Sequence, residues 1–275
     1  MAQAVANYAS YRTGSDAWAL GRFVVPAGRL VELEQALGGL LPRFSPSDRW
    51  RLAVLLGTDP LRDLEAIGEF NCLHAADGAG MAMVDVVEAK ADSPEAVKQL
   101  LSRVPSDLLP YIEIPVSRDP APLASAAARA GGRLKVRTGG VTPDAFPSAA
   151  DLVRFLRAAR DAGVPFKATA GLHHPLRAEY RLTYEPGSAC GTMFGFLNLF
   201  LAAAFVGEGL DHSEAERLLE ERDRQAFRFD PGGVEWRGRR LDLDAIRQAR
   251  ESVIISFGSC SFTEPIADLH SLGLL

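Results

Sequence analysis

The chain has little cysteine: three residues in 275, at Cys72, Cys190 and Cys260, far apart and without a Cys-x-x-Cys pair. That scarcity argues against a disulfide framework or a cysteine-rich zinc site, and a reducing, cytoplasmic setting is expected. No apolar run reaches the roughly twenty residues that span a bilayer. The longest, Met193 to Val206, is interrupted by Gly195 and Asn198 and reads as a buried helix. Blocks of one charge sign are also missing. Thirty Lys and Arg against 35 Asp and Glu give a net charge of -5 with the cations dispersed. Neither nucleic acid nor an anionic membrane is an expected partner, and any bound anion must meet a local cluster. The segment from Ala2 to Asp16 has no basic-then-apolar leader pattern, so no export is expected.

What is present is ordinary globular material, 47% hydrophobic and 24% charged, enough for a large core. The length suits one α/β barrel domain over residues 1-275, with an irregular region from about 187. From residue 18 short β-rich runs alternate with longer helical patterns, the rhythm of βαβ units and a parallel sheet. Strands are predicted at Leu20-Val25, Arg51-Leu56, Met83-Ala89, Tyr111-Val116, Leu134-Thr138 and Pro165-Ala170. Ser93-Pro94 and the Ser148/Asp151 pair mark helix starts, and Gly131-Gly132 and Gly163 mark helix ends. After Gly171 the rhythm breaks. A loop through His173 to Gly191 leads into the apolar helix, then into a charged helix with Ser213-Glu216 as its capping box. Phe227-Phe229 and Val234-Trp236 read as a hairpin, and Val253-Phe257 as either a last strand or a helix. The expected fold is α/β, a TIM-type (β/α) barrel, incomplete or irregular after the sixth strand.

Side chains alternate faces along a strand, so the third to sixth strands can be sorted by parity. Ile112 and Ile114 oppose Tyr111 and Glu113; Leu134 and Val136 oppose Lys135 and Arg137. Phe166, Ala168 and Ala170 oppose Lys167 and Thr169, while Val87 and Ala89 oppose Val86, Glu88 and Lys90. With the apolar face toward the helices, Glu88, Lys90, Glu113, Lys135, Arg137 and Lys167 point inward near the strand ends, where barrel enzymes keep their active sites. Buried charges must pair, meet water or meet a ligand. The competing structural readings are an exposed sheet face or an ion-pair network.

Lys167 has the strongest chemical case. A lysine held among cations and partly desolvated favours its neutral amine, which can attack a carbonyl to form a Schiff base. Lys135 and Arg137 supply the cations, and Glu88 or Glu113 the proton transfer. The plain alternative for Lys167 is a point charge that binds phosphate or carboxylate, or that pairs with Glu113. The run Leu134-Lys-Val-Arg-Thr-Gly-Gly, followed by Asp161-Ala-Gly-Val-Pro-Phe-Lys-Ala-Thr-Ala-Gly171, resembles the fifth and sixth strands of deoxyribose-phosphate aldolases and related class I aldolases. Those enzymes carry their Schiff-base lysine in an Ala-Gly-x-x-Phe-x-Lys-Thr-Ser-Thr-Gly-like segment. The resemblance spans residues 134-171 and implies that role for Lys167.

Beyond the sixth strand, His173 and His174 are candidates for acid-base work, for substrate contact or for metal ligation with Glu88 and Glu113. Adjacent histidines usually point apart, however, and no His-x-x-x-His spacing is present. Gly139 and Gly140 can offer backbone N-H groups to an anion or simply make a turn. Cys190, in a segment expected to precede a helix N-terminus, reads as a buried small residue rather than a nucleophile. Cys260 sits on a loop at the same rim with a weaker case still.

The expected activity is that of a lyase or isomerase acting on a small anionic carbonyl compound. Lys167, Glu113, Glu88 and His173 are the catalytic candidates; Lys135, Arg137, Lys90, Gly139, Gly140 and His174 are the substrate-binding ones. No metal or cofactor is expected. The alternatives are metal-assisted hydrolysis or lyase chemistry through His173 and His174, and a non-catalytic anion-binding barrel that self-associates through helix 193-206.

Overall fold

The computed structural model describes all residues except 44-45 and 77-78 and the side chain of residue 46. Its contacts divide the chain into two compact units, Met1–Ala91 with Glu95–Ile112, and Asp92–Pro94 with Glu113–Leu275.

The first unit begins with α1 (Ala2–Thr13), a helix absent from the sequence expectation, which buries Val5 and Tyr8. Then come β1 (Phe23–Pro26), α2 (Leu30–Leu37), β2 (Trp50–Leu55), α3 (Pro60–Ala75), β3 (Ala82–Lys90), α4 (Pro94–Leu101) and β4 (Leu109–Glu113). Helix α3 starts with Asp59, whose side chain accepts from Arg62 N, and with Pro60 at a position where a missing N-H costs nothing. Its inward stripe is Leu64, Ile67, Phe70 and His74. His74 is buried, yet both ring nitrogens are engaged: Nδ1 donates to Gly80 O at 2.6 Å and Nε2 lies 2.7 Å from Glu34 Oε2.

Strand β2 runs parallel to β1 and to β3, and the β2/β3 register slips at one point: Leu52 faces Val84 but Ala53 faces Val86. Asp85 is the extra residue. The ladder groups disturbed there are satisfied by Asn71, whose amide bonds both Val84 O and Val84 N at 2.8 Å. The irregularity turns the Asp85 carboxylate toward Arg22, at 2.6 and 2.9 Å, and Arg51.

The second unit continues with α5 (Ala121–Arg129), β5 (Arg133–Arg137), α6 (Ala149–Asp161) and β6 (Phe166–Thr169). The capping box of Ser148 and Asp151 forms as predicted, and Gly131 and Gly163 adopt φ of 73° and 63° at the two helix ends. Beyond β6 lie the antiparallel pair β7 (Ala178–Arg181) and β8 (Cys190–Met193), then α7 (Phe196–Gly207) and α8 (His212–Leu219). Helix α7 is the apolar run, and Leu199, Ala202, Ala203 and Val206 are buried within this unit. Helix α8 is capped by Asp211, which accepts from Glu214 N at 2.9 Å, so the expected Ser213-Glu216 box is corrected. Ser213 instead donates to the cap itself.

The expected hairpin is present but gains a third strand. β9 (Phe227–Asp230), β10 (Gly233–Trp236) and β11 (Arg239–Asp242) form an antiparallel sheet, ahead of α9 (Leu243–Ser252). Gly233, at φ 142°, is obligatory because a Cβ there would fall 2.0 Å from Leu241 O. The chain then enters β12 (Ile254–Gly258), which pairs parallel with β6, and ends in α10 (Thr263–Ser271). The ambiguous segment Val253-Phe257 is therefore a strand.

The fold is α/β, and the strand order is β1-β2-β3-β4-β5-β6-β12, seven strands against the eight of a closed TIM barrel. The expected second, third, fifth and sixth strands fall within one residue of their observed ends, the fourth ends three residues earlier than expected, and the first begins three residues later. Among the described residues no helix is long and apolar enough to cross a membrane.

Candidate active site

Strands β5 and β6 carry the lysines. In their register Leu134 faces Phe166, Lys135 faces Lys167 and Arg137 faces Thr169. Alternation puts the two lysines on one face and Leu134, Val136, Phe166 and Ala168 on the other. The apolar face meets α6, where Phe155 packs edge-on against Phe166 at 5.1 Å. Lys135 and Lys167 therefore stand side by side on the opposite face, about 5 Å apart at their Cα atoms. Both are buried, at 7% and 8% exposure. Glu113 is also buried, and its Oε2 lies 2.8 Å from Lys135 Nζ.

The other predicted charges sit differently. Arg137 is exposed and folds back so that its Nε donates to Gly139 O at 3.0 Å. In the first unit Glu88 is buried on β3 and Lys90 is exposed at its end. The two glycines after β5 are accounted for by packing. A Cβ on Gly139 would lie 2.4 Å from the Phe146 ring, and one on Gly140 2.6 Å from Ala145.

The end of β6 is held in an uncommon conformation. Ala170 and Gly171 both adopt left-handed φ, 67° and 68°. For alanine this costs on the order of 1–2 kcal/mol. Thr138, fully buried, holds the turn: its Oγ1 donates to Ala170 O at 2.6 Å and its N-H to Thr169 O at 2.9 Å. The turn directs the chain into His173 and His174. The loop is fastened downstream by α7, whose N-terminal amides at Phe196 and Leu197 donate to His174 O and Pro175 O, both at 3.0 Å. Gly195 provides no capping side chain, so these loop carbonyls satisfy the helix end instead. Asn198 completes the attachment: its Oδ1 accepts from Arg177 N, and its amide donates to Leu218 O and Glu221 O.

Both histidines face α10. His173 Nδ1 lies 3.0 Å from Glu264 Oε2, and His174 Nδ1 lies 2.6 Å from Asp268 Oδ2. The expectation that adjacent histidines diverge is corrected in part, since their rings are 6.3 Å apart and share one acidic helix. His174 stacks on Tyr180 at 3.5 Å, while Tyr184 OH donates to the same Glu264 oxygen at 2.9 Å. Among the described residues, no group of three or more His, Cys, Asp or Glu side chains is arranged to hold a metal ion.

Cys260 completes the group. Its Sγ is 3.6 Å from His173 Nε2 and 3.8 Å from Nδ1. The hydrogen bond between them raises the His173 pKa against the opposing effect of burial, helped by the charges of Cys260 and Glu264. The same bond lowers the Cys260 thiol below its ordinary value, again against burial. Burial and the bond to Glu264 push Tyr184 well above the usual phenol range. Cys190, expected to be buried ahead of a helix N-terminus, is instead exposed and opens β8.

Sequence reasoning selected His173 and His174 but not Glu264, Asp268 or Tyr184, and it undervalued Cys260. The signal was positional: Thr169 and Gly258 are partners at the ends of β6 and β12, and His173 and Cys260 follow them by four and two residues.

No family model matches the chain, and no curated protein does. Among solved structures, crystal structures of a nitroalkane oxidase from Streptomyces ansochromogenes resemble part of it, at 16% identity and a TM-score of 0.32 over 64% of this chain. The chain spans 56% of the length of that oxidase, and a likeness of this degree carries no fold or activity across.

Proposed function

We propose that the protein is an enzyme, a lyase or isomerase that acts on a small anionic carbonyl compound through an imine on Lys167. The carrying observation is the register pairing of Lys135 with Lys167 on one buried face, with Glu113 in contact with Lys135. A second ammonium alongside favours the neutral form of a lysine, the form that adds to a carbonyl carbon. Addition followed by loss of water gives the imine. Its positive nitrogen then draws electrons from the adjacent bond, so that a carbon-carbon bond breaks or an α-proton leaves. In this reading Glu113 accepts or returns that proton, and Lys135 with Arg137 supplies positive charge for a carboxylate or phosphate. This reading takes the seven-strand sheet as a barrel-type arrangement with an irregular course after β6, working on a soluble metabolite in the cytoplasm. The aldolase-like segment 134-171 supports the same lysine.

The test is borohydride reduction in the presence of a panel of small keto acids and phosphorylated aldehydes or ketones, read by peptide mass. The expected result is a reduced adduct on Lys167 that disappears in Lys167→Met. Adducts on other lysines only, or none in a correctly folded protein, overturn the imine. A substrate anion that still protects the wild type against unfolding would then favour the non-catalytic anion-binding reading.

A further inference from the structure

The lysine face does not use the cluster formed where β6 and β12 end. Cys260, His173 and Glu264 are contributed by the loop after β12, the loop after β6 and the first turn of α10. An ionised Glu264 can only accept hydrogen bonds, which assigns the proton to the nitrogen facing it, His173 Nδ1. That leaves Nε2 to take the proton of the thiol, whose sulfur sits beside the ring, 3.6 Å from Nε2 and 3.8 Å from Nδ1, and swings onto the Nε2 lone pair for the transfer. The carboxylate is itself held in place. Tyr184 OH donates to Glu264, and Glu264 N donates to Ser261 Oγ at 3.1 Å. Ser259 Oγ, 3.4 Å from His173 Nδ1, accepts from Ser261 N at 3.2 Å and closes the loop around the ring. The sulfur is exposed while the histidine is largely covered, so a substrate meets the nucleophile from solvent and the base stays positioned.

We propose that Cys260, His173 and Glu264 form a nucleophile, a base and an orienting carboxylate for acyl transfer from an ester or thioester, a second activity separate from the lysine chemistry. The thiol proton moves to His173 Nε2, and the sulfur attacks the acyl carbon. The bond from that carbon to the leaving oxygen or sulfur breaks, and the leaving group departs with the proton from His173. Water then attacks the acyl-cysteine, gives its proton to the same nitrogen, and the released thiolate takes that proton back. A merely reactive thiol needs no such shuttle; a carboxylate aimed at the far nitrogen of the base is what proton return to a leaving group requires.

Two measurements on the whole chain test this, with Cys72 and Cys190 as exposed internal controls. In the first, p-nitrophenyl acetate is added and acetylation is read by peptide mass together with nitrophenolate release. The expected outcome is a burst of about one equivalent, with the acetyl group on Cys260, lost in Cys260→Ser and reduced at least about tenfold in His173→Gln. In the second, iodoacetamide labelling of all three cysteines is followed against pH in one wild-type sample, which does not depend on any variant folding. The titratable groups around His173 there are Cys260, Glu264, Tyr184 and His174, the last held in turn by Asp268 and Tyr180. Cys260 is expected to label about tenfold faster than the other two near pH 6. Equal labelling of the three cysteines overturns the proposal. So does fast labelling of Cys260 without its acetylation, which leaves a reactive thiol but no acyl transfer. Neither result bears on borohydride trapping at Lys167.

Discussion

Glu113 and Lys135 form an ion pair 2.8 Å long whose side chains are each about nine-tenths buried. Desolvating two charges offsets most of their attraction, so the pair contributes little net stability, whereas removing one partner leaves the other a buried charge with less to offset its desolvation. Glu113→Ala is therefore expected to destabilise the protein by about 3–5 kcal/mol. The double variant Glu113→Leu/Lys135→Met is expected to recover most of that loss. Urea unfolding of the two variants checks both values, and a double variant as unstable as the single one contradicts the account.

Ala170 is a left-handed residue without glycine's freedom. Ala170→Gly should stabilise the fold by up to about 1 kcal/mol, because relief of strain outweighs the greater entropy of the unfolded chain. Thr138→Val should cost about 1–3 kcal/mol by leaving Ala170 O without its donor. Thermal melts of the two variants should move in opposite directions.

His173 titrates above its ordinary value of 6.5 because Cys260 and Glu264 favour its charged form. A raised pKa in the folded state contributes stability that is complete below 6.5 and lost as pH rises through the folded value. The gap in unfolding free energy between wild type and His173→Gln should therefore be larger at acidic than at alkaline pH. In Cys260→Ser the histidine titration, followed by NMR, should move down.

Asp85 shows the opposite sign. Burial pushes its carboxyl up, but Arg22 and Arg51 together hold it below the ordinary 3.8. Its contribution is present above that value and lost as pH falls through the lower folded one. The stability gap between wild type and Asp85→Asn should close in strong acid and persist at neutral pH, in chemical unfolding at both.

The first six sheet strands were legible because each couples an apolar run to a following helix with its own start or stop residue. Parity alone put Lys135 and Lys167 on one face, and the β5/β6 register sets them side by side. Parity could not anticipate Asp85, because an inserted residue has no signature in alternation, nor α1, whose inward stripe is only Val5 and Tyr8. Cys260 was undervalued for a physical reason. Its partner histidine is 87 residues away. The two meet only because β12 lies beside β6, and a short apolar run such as 253-257 fits a strand and a helix equally well.

The fastening of the His173-His174 loop onto the start of α7 gives that loop a reporter. The amide hydrogens of Phe196 and Leu197 are held by the carbonyls of His174 and Pro175, so they exchange with solvent only when the loop lifts. The deuterium uptake rate of these two helix amides, which touch neither Cys260 nor Lys167 chemically, is thus a clock for how often the histidines leave their acidic partners.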